Sequence, residues 1–500
     1  MTKYVGITIG PIDRIAEYSK STRSIWASSY IFSFLAKSII THLKTNCSIE
    51  NNNFLTPIIT DDMFIESPVG RFPDQYVIKV AENTNAENII KEIYKATDKV
   101  LEEIARDIAT ALNIKTNIDI VKEYLKRVIK VYATIKESTK EDSIVSDFQA
   151  TFAAMECFDT YQQMEPQNFL AEYFQTKAEL LVNNTKLEKF STILERSAQI
   201  KPNEIQDYEN GDKDHELKAY QKYIAFVAAD GDNFGKTIAQ LGEKSKYFTD
   251  FSSDLRNAVY KYGGQTIFQG GDDIMFFAPI HNPKSELSNV TDIFSLINHI
   301  DKLFEEIVIK KLKEKDEKGD SDWDGLIDKP SLSYGVAIAY YKHPMNETRQ
   351  RAIDLLHQCK YSYNRNAIAW EVRKHSGQTF RDVIDKKGIN NTQGNVQFDT
   401  MLSIISNAID NDINNDDFLH SITHWIMSQK EIIESVILKN PQKEKLLGNY
   451  FDNNFNEDSH ESKKEFIESI RNFLLIENLK EPCAKLHAIL RYVELLINKS

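Results

Sequence analysis

Two apolar segments that run directly into carboxylates constrain this chain more than any other feature. The first is Ile224-Ala225-Phe226-Val227-Ala228-Ala229, followed by Asp230-Gly231-Asp232-Asn233-Phe234-Gly235. The second is Thr266–Gln269, then Gly270-Gly271-Asp272-Asp273, then Ile274–Ala278. Short apolar runs bounded by glycine and acidic residues read as strands. Gly270-Gly271 permits the positive φ of a tight hairpin. If the first strand pairs beside that hairpin, Asp230 comes next to Asp272 and Asp273. Such a group supplies hard oxygen ligands suited to Mg²⁺ or Mn²⁺, and it needs a cation because clustered carboxylates repel one another.

The bland readings deserve equal statement. A lone Gly-Gly-Asp-Asp is most often a polar turn, and a lone Asp-Gly-Asp a loop or a fragment of a calcium loop. No glutamate at EF-hand spacing completes the calcium loop. The two segments gain meaning together, each at the end of an apolar strand, with helices between. That arrangement suits two-metal phosphoryl chemistry, with Asp230, Asp272 and Asp273 as metal ligands and catalytic residues. Main-chain N–H groups of Gly231, Asp232, Asn233, Phe234 and Gly235, at a helix N-terminus, suit a triphosphate. Gly270 and Gly271 complete the nucleotide-facing edge. Lys360, near the end of a helix predicted over Glu347–Tyr361, is a solvated residue on a bare helix but a phosphate-binding point charge in such a site. Lys342 and His343 read as loop residues.

Periodicity divides the chain into four units. Residues 1–85 show a strand (3–9), a helix predicted from about Ile12 to Ile40, and strands at Pro57–Ile59 and Tyr76–Val80, a first palm-like α/β unit. Residues 86–215 carry apolar residues at helical spacing, Ile89 to Ile108 and Val121 to Tyr132, and are expected to form a helical insert with an acidic linker at 203–215. Residues 216–390 return to α/β in the order expected of a catalytic ferredoxin-like palm, with helices at Thr237–Lys244, Phe251–Tyr262 and Ile293–Leu312 and a strand at Ser331–Tyr340. Residues 391–500 read as a helical C-terminal domain, with Asn/Asp-rich loops at 407–417 and 451–458. The fold class is thus multidomain α+β, with two palms and two helical regions.

Composition narrows the partners. The formal charge is −13, from 61 Lys+Arg against 74 Asp+Glu, which argues against stand-alone, non-specific nucleic-acid binding. The four cysteines, Cys47, Cys157, Cys359 and Cys483, form no C-x-x-C pair and encode no zinc ribbon. No run approaches the ~20 apolar residues of a membrane span, and no signal segment is read, so no membrane partner and a cytoplasmic location are expected.

Four segments together carry a specific resemblance. They are Gly10-Pro11-Ile12 with Ser21-Thr22-Arg23-Ser24-Ile25-Trp26-Ala27-Ser28-Ser29-Tyr30; Asp230 to Gly235; Gly270 to Asp273; and Ser331 to Ile338 with Cys359-Lys360 and Arg373 to Gly377. The chain resembles the polymerase/cyclase-type large subunit of type III CRISPR effector complexes, in the Cmr (III-B) form. That resemblance implies a ribonucleoprotein with CRISPR RNA and other Cmr-type subunits, and cyclic oligoadenylate synthesis from ATP switched on by target RNA. It gives Asp230, Asp272 and Asp273 to the metals and Lys360 to phosphate. The chain departs from many relatives in lacking any His-Asp dipeptide, so no HD-type nuclease is expected, and in lacking a zinc-binding cysteine cluster. Some HD-less members join ATP to S-adenosylmethionine, and the metal-site motifs do not separate the two acceptors. A catalytically inactive structural subunit and a GGDEF-type diguanylate cyclase are the competing readings; against the latter, Asp273 stands where that family has Glu. Arg23 and Arg71 are candidate contacts to RNA or to a neighbouring subunit.

Overall fold

The computed structural model describes residues 2–10, 22–57, 59–65, 69–81, 84–114, 118–139, 143–157, 168–176, 193–199, 217–233, 246–270, 273–311, 330–363, 365–386, 396–410, 413, 417–455 and 461–497. The first α/β unit consists of β1 (Thr2–Gly10), α1 (Thr22–Asn46), β2 (Phe54–Thr56), β3 (Gln75–Val80), α2 (Ala86–Ala111), α3 (Ile118–Val128) and β4 (Lys130–Ser138). Its sheet order is β2-β3-β1-β4, all antiparallel, the βαββαβ arrangement of a ferredoxin-like palm. Val5, Ile7 and Ile9 of β1 share a core with Ile31, Leu35 and Ile39 of α1 and Ile93, Leu101 and Ile104 of α2. The opposite face of β1 meets α4 (Ile144–Cys157), where the Phe148 ring lies 2.3 Å from where a Cβ on Gly6 would sit.

This corrects the expected boundary at residue 85. The 86–215 segment is not wholly a helical insert: α2 covers the first sheet, and β4 is that sheet's fourth strand, paired with β1 from Thr2↔Ser138 to Gly10↔Lys130. The helical spacing that runs through Val128, Ile129 and Tyr132 misleads because the chain turns at Ile129 and continues as a strand rich in β-branched residues. Two further short helices, α5 (Phe169–Gln175) and α6 (Ile193–Ala198), follow. The linker expected at 203–215 lies outside the described residues, as do 12–21 of the first expected helix.

The second unit holds β5 (Tyr223–Asp232), α7 (Lys246–Lys261), β6 (Gln265–Gly270), β7 (Asp273–Pro279), α8 (Ile293–Phe304), β8 (Ser331–Tyr340), α9 (Met345–Ser362), β9 (Ala367–Arg373) and β10 (Thr379–Asp385). The sheet order is β10-β9-β8-β5-β7-β6. Its β8-β5-β7-β6 part repeats the antiparallel arrangement of the first palm. The chain then adds β9 parallel to β8 through α9, and β10 antiparallel to β9. Sequence reading ended this unit at α9 and missed both strands, although Ala367–Trp370 is an apolar run and a Ser376-Gly377 turn follows. The helix expected over Thr237–Lys244 lies outside the described residues.

Alternation gives the sheet two apolar faces. Tyr223, Ala225, Val227 and Ala229 point into one core, and Ile224, Phe226 and Ala228 into another beneath α9. The first of these cores is shared with the C-terminal helices α10 (Val396–Asp410), α11 (Phe418–Ser428), α12 (Lys443–Asn454), α13 (Lys464–Leu474) and α14 (Pro482–Ile497). Phe294, Trp370 and Tyr492 meet there with ring centroids 5.1–5.9 Å apart, and Lys485 of α14 reaches Asp382 and the Val383 carbonyl of β10. The helical C-terminal region therefore packs on the second sheet and shares its core. Helix also extends into both Asn/Asp-rich stretches read as loops, to Asp410 and to Asn454. Among the described residues no helix is long and apolar enough to cross a membrane.

On the other face, α9 lies so close to β8 that a Cβ on Gly335 would sit 2.0 Å from the Ala352 carbonyl oxygen and 2.4 Å from the Leu356 nitrogen. Both are backbone atoms and cannot swing aside. Gly335→Ala is expected to destabilise the chain by about 3 kcal/mol through overpacking, read as a lower urea midpoint at unchanged m.

Candidate active site

The site grows from the end of β5. Because side chains alternate, Asp230 lies on the α9 face with Phe226 and Ala228. The β5–β7 register runs to Ala229↔Ile274; one further step sets Asp230 across from Asp273, the first residue of β7. Asp273 is exposed, on the same face as Met275 and Phe277. Two of the three expected carboxylates thus occupy facing ends of adjacent strands. Gly270, paired with Asp273, ends β6. Asp272, Gly271, Phe234 and Gly235 lie outside the described residues.

Lys360 comes to this point from α9. Leu356 and Cys359 are buried beneath the helix, which leaves the next residue, in its last turn, at the mouth of the sheet. Its ammonium forms an ion pair with Asp230 Oδ2. Burial, and after it Arg365, lowers the pKa of the Lys360 ammonium to about 8. The lysine thus fills the role of cation beside an acid that would otherwise face another acid. Among the described residues no three His, Cys, Asp or Glu side chains converge as for a metal ion. The donors that are described, two carboxylates on one face with a cation already drawn to one of them, fit a hard divalent ion.

Asp232, expected to offer its main-chain N–H to a nucleotide, has a fully buried side chain with a structural role. Its Oδ2 accepts hydrogen bonds from Ser331 Oγ (2.8 Å), Ser333 Oγ (2.8 Å) and the Asn366 backbone N–H (2.9 Å). The carboxylate ties β5 to β8 and to the turn between α9 and β9. Asn233, just beyond it, has φ 63°, a left-handed conformation that Asn adopts more readily than most residues and that turns the chain out of the strand beside Gly231.

Sequence reasoning missed Arg365. The turn after α9 holds Arg365 and Asn366 at φ 68° and 47°. An arginine in that region is uncommon, and such strain persists only when the surroundings impose it. Here the Arg365 N–H is bonded to the Cys359 carbonyl (3.0 Å) and the next N–H to Asp232. The exposed guanidinium stands near enough to Lys360 to depress it. The readable signal was Asn364-Arg365-Asn366 directly after a helix, a helix-stop pattern. The remaining expected positions lie elsewhere. His343 Nδ1 is within hydrogen-bond range of Thr348 Oγ1 and its Nε2 of Arg373, at the far end of β8. Arg23 donates to the Thr176 carbonyl within the first palm.

The two aspartates of β5 should separate in a stability measurement. Asp232→Ala removes a charged acceptor from three donors and is expected to cost about 3–5 kcal/mol. Asp230→Asn, at the open end, should cost about 1 kcal/mol or less. Urea unfolding of the two variants distinguishes the strut from the site residue.

Comparison with known proteins agrees with this layout. The family described as Cas10/Cmr2, second palm domain, matches residues 223–369, and the N-terminal family of the CRISPR-associated protein Cmr2 matches residues 4–106. The CRISPR system Cmr subunit Cmr2 of Pyrococcus furiosus is 26% identical over a stretch that takes in 33% of this chain and 20% of that protein, so the match spans a fifth of that relative's length. Among solved structures, the Csm1-Csm4 cassette in complex with cA4 superposes with a TM-score of 0.51 at 9% identity, covering 99% of this chain and 70% of that one. The type III-B Cmr-beta complex bound to cognate target RNA gives 0.53 at 10%, covering 92% and 78%. At these identities the structural likeness speaks for the fold. With the N-terminal and second-palm signatures both present at their places in that fold, the chain belongs to the Cas10/Cmr2 family of type III-B CRISPR large subunits.

Proposed function

We propose that this chain is a metal-dependent nucleotidyltransferase that makes cyclic oligoadenylate second messengers from ATP. It acts within a cytoplasmic ribonucleoprotein of other Cmr subunits and CRISPR RNA, and binding of target RNA turns it on. The observation that carries the reading is the facing pair Asp230 and Asp273, with Lys360 drawn onto Asp230, inside the residues that match the second palm. The complexes formed by the solved relatives, with cA4 in one case and with target RNA in another, support the adenylate product and the RNA partner. The net charge of −13 is compatible with neighbours holding most of the RNA.

In this reading the 3′-hydroxyl of one adenosine attacks the α-phosphorus of the next ATP, a P–O bond forms, and pyrophosphate leaves. Asp230 and Asp273, with Asp272, would hold Mg²⁺ or Mn²⁺, which when bound would lower the pKa of the attacking hydroxyl and steady the departing oxygens. The Lys360 ammonium beside Asp230 and the Arg365 guanidinium at the same mouth would offer two cations to the triphosphate. Main-chain N–H groups of Gly231, Asp232, Asn233, Phe234 and Gly235, with Gly270 and Gly271, would cradle the triphosphate. Asp232 fixes the ends of β5 and β8 on which all of this is mounted.

The test is to incubate the assembled complex with target RNA, Mg²⁺ and labelled ATP, with and without S-adenosylmethionine, and to identify products by mass spectrometry. Oligoadenylates and pyrophosphate are expected from ATP alone, with Asp273→Ala reducing them to background. Lys360→Ala should raise the KM for ATP about tenfold or more, the scale of one charge-assisted hydrogen bond. Product that requires S-adenosylmethionine would keep the site and change the acceptor. Absence of any turnover by the wild-type complex would return the chain to a scaffolding role.

A further inference from the structure

The strand that leads into the Gly270–Asp273 turn is held from outside by the first palm. β6 is the edge strand of the six-stranded sheet. Its pairing with β7 slips between Thr266↔Phe276 and Phe268↔Met275, which leaves Ile267 as an extra residue. Such a bulge bends and twists its strand, and it has to be fixed by something other than the ladder. Here the Ile267 carbonyl accepts a hydrogen bond from Ser29 Oγ of α1 at 3.2 Å, across 238 residues of sequence. The Ile267 side chain is buried in the cluster beneath α9, with Phe226 and Phe277. Among the described residues, the single first-palm side chain in that cluster is Ile25, one helical turn before Ser29. Ser24, Ser28 and Ser29 are all buried on α1, and their small side chains let the helix come close to the strand. Two residues beyond the bulge, Gln269 Nε2 donates to the Ser252 carbonyl of α7 at 2.5 Å, so the strand is gripped by its own palm on one side and by the first palm on the other.

We propose that Ser29 and Ile25 are positioning residues for the site: α1 pins the Ile267 bulge, and through it sets where Asp273 stands relative to Asp230. This rests on the nucleotidyltransferase reading for its catalytic consequence, though not for the coupling itself. The bulge is the point at which a displacement of the first palm reaches the carboxylates, because two residues separate Ile267 from Gly270 and the opposite strand begins at Asp273. A partner that shifted α1 along β6 would alter the spacing of the acids without touching them. The anchor thus gives the complex a means of regulating the site from the first palm.

Hydrogen exchange and kinetics on the full chain in its complex test this together. Ser29 Oγ also lies 3.1 Å from the Trp26 carbonyl of its own helix, so Ser38→Ala, which removes a hydroxyl bonded only to the Phe34 carbonyl of α1, serves as the matched control. Ser29→Ala is expected to speed amide exchange over residues 265–278 about five- to tenfold, the factor that one net hydrogen bond corresponds to, and to leave β8 and β9 unchanged. It should lower kcat with KM for ATP unchanged, and Ser38→Ala should do neither. Unaltered exchange in the hairpin of Ser29→Ala would overturn the proposal whatever the activity. Faster exchange in a complex whose wild type turns over no ATP would uphold the coupling and sink the catalytic reading instead.

Discussion

An apolar strand buried on both faces can end in two carboxylates only if each is given a partner, and the second palm is organised around meeting that demand. Asp230 receives the Lys360 ammonium. Asp232 receives two hydroxyls and a backbone amide. The two solutions differ in a way that assigns the residues their work. Three neutral donors on one oxygen make a fixed strut, because removing it would leave three donors unsatisfied. A single ammonium at the open end of the strand is a partner without such a network behind it. Placement of α9, the close approach at Gly335 and the left-handed turn at Arg365-Asn366 all follow from bringing those partners to the end of β5.

The site was legible where chemistry and pattern coincided in a short stretch. Asp230 and Asp273 could be placed together because alternation along an apolar strand fixes a face, and a glycine turn fixes which strand returns beside it. Lys360 could be named from its place near the end of a helix. The burial of Asp232 was not legible, because it shares a face with Asp230 in a period-2 pattern and only the distant Ser331, Ser333 and Asn366 decide which is buried. Arg365 was hidden for a related reason: its role depends on a left-handed turn held by contacts from another strand.

The domain boundaries were less legible than the site. Two ferredoxin-like units were expected, and two sheets with that strand order are present. The boundary at residue 85 failed because α2 and β4 belong to a sheet whose central strand is the first in the chain, and local periodicity carries no information about a partner more than a hundred residues away. The C-terminal helices were read correctly as helices. That they share one core with Trp370 and Phe294 was not readable, since an amphipathic helix shows that it has an apolar face but not what that face will meet.

That shared core bears on the order in which the protein can be made. The core on one face of the sheet that holds β5 also takes in α14, some 250 residues later in the chain. Chains with such long-range contacts fold slowly and expose apolar surface while they wait. During translation the second palm therefore has one oily face uncovered until Tyr492 and its neighbours leave the ribosome, whereas the first palm can close once β4 has been made. The palm that carries the carboxylates therefore closes after the first one, so a growing chain presents a folded first palm before the core beneath Asp230 and Asp273 is complete.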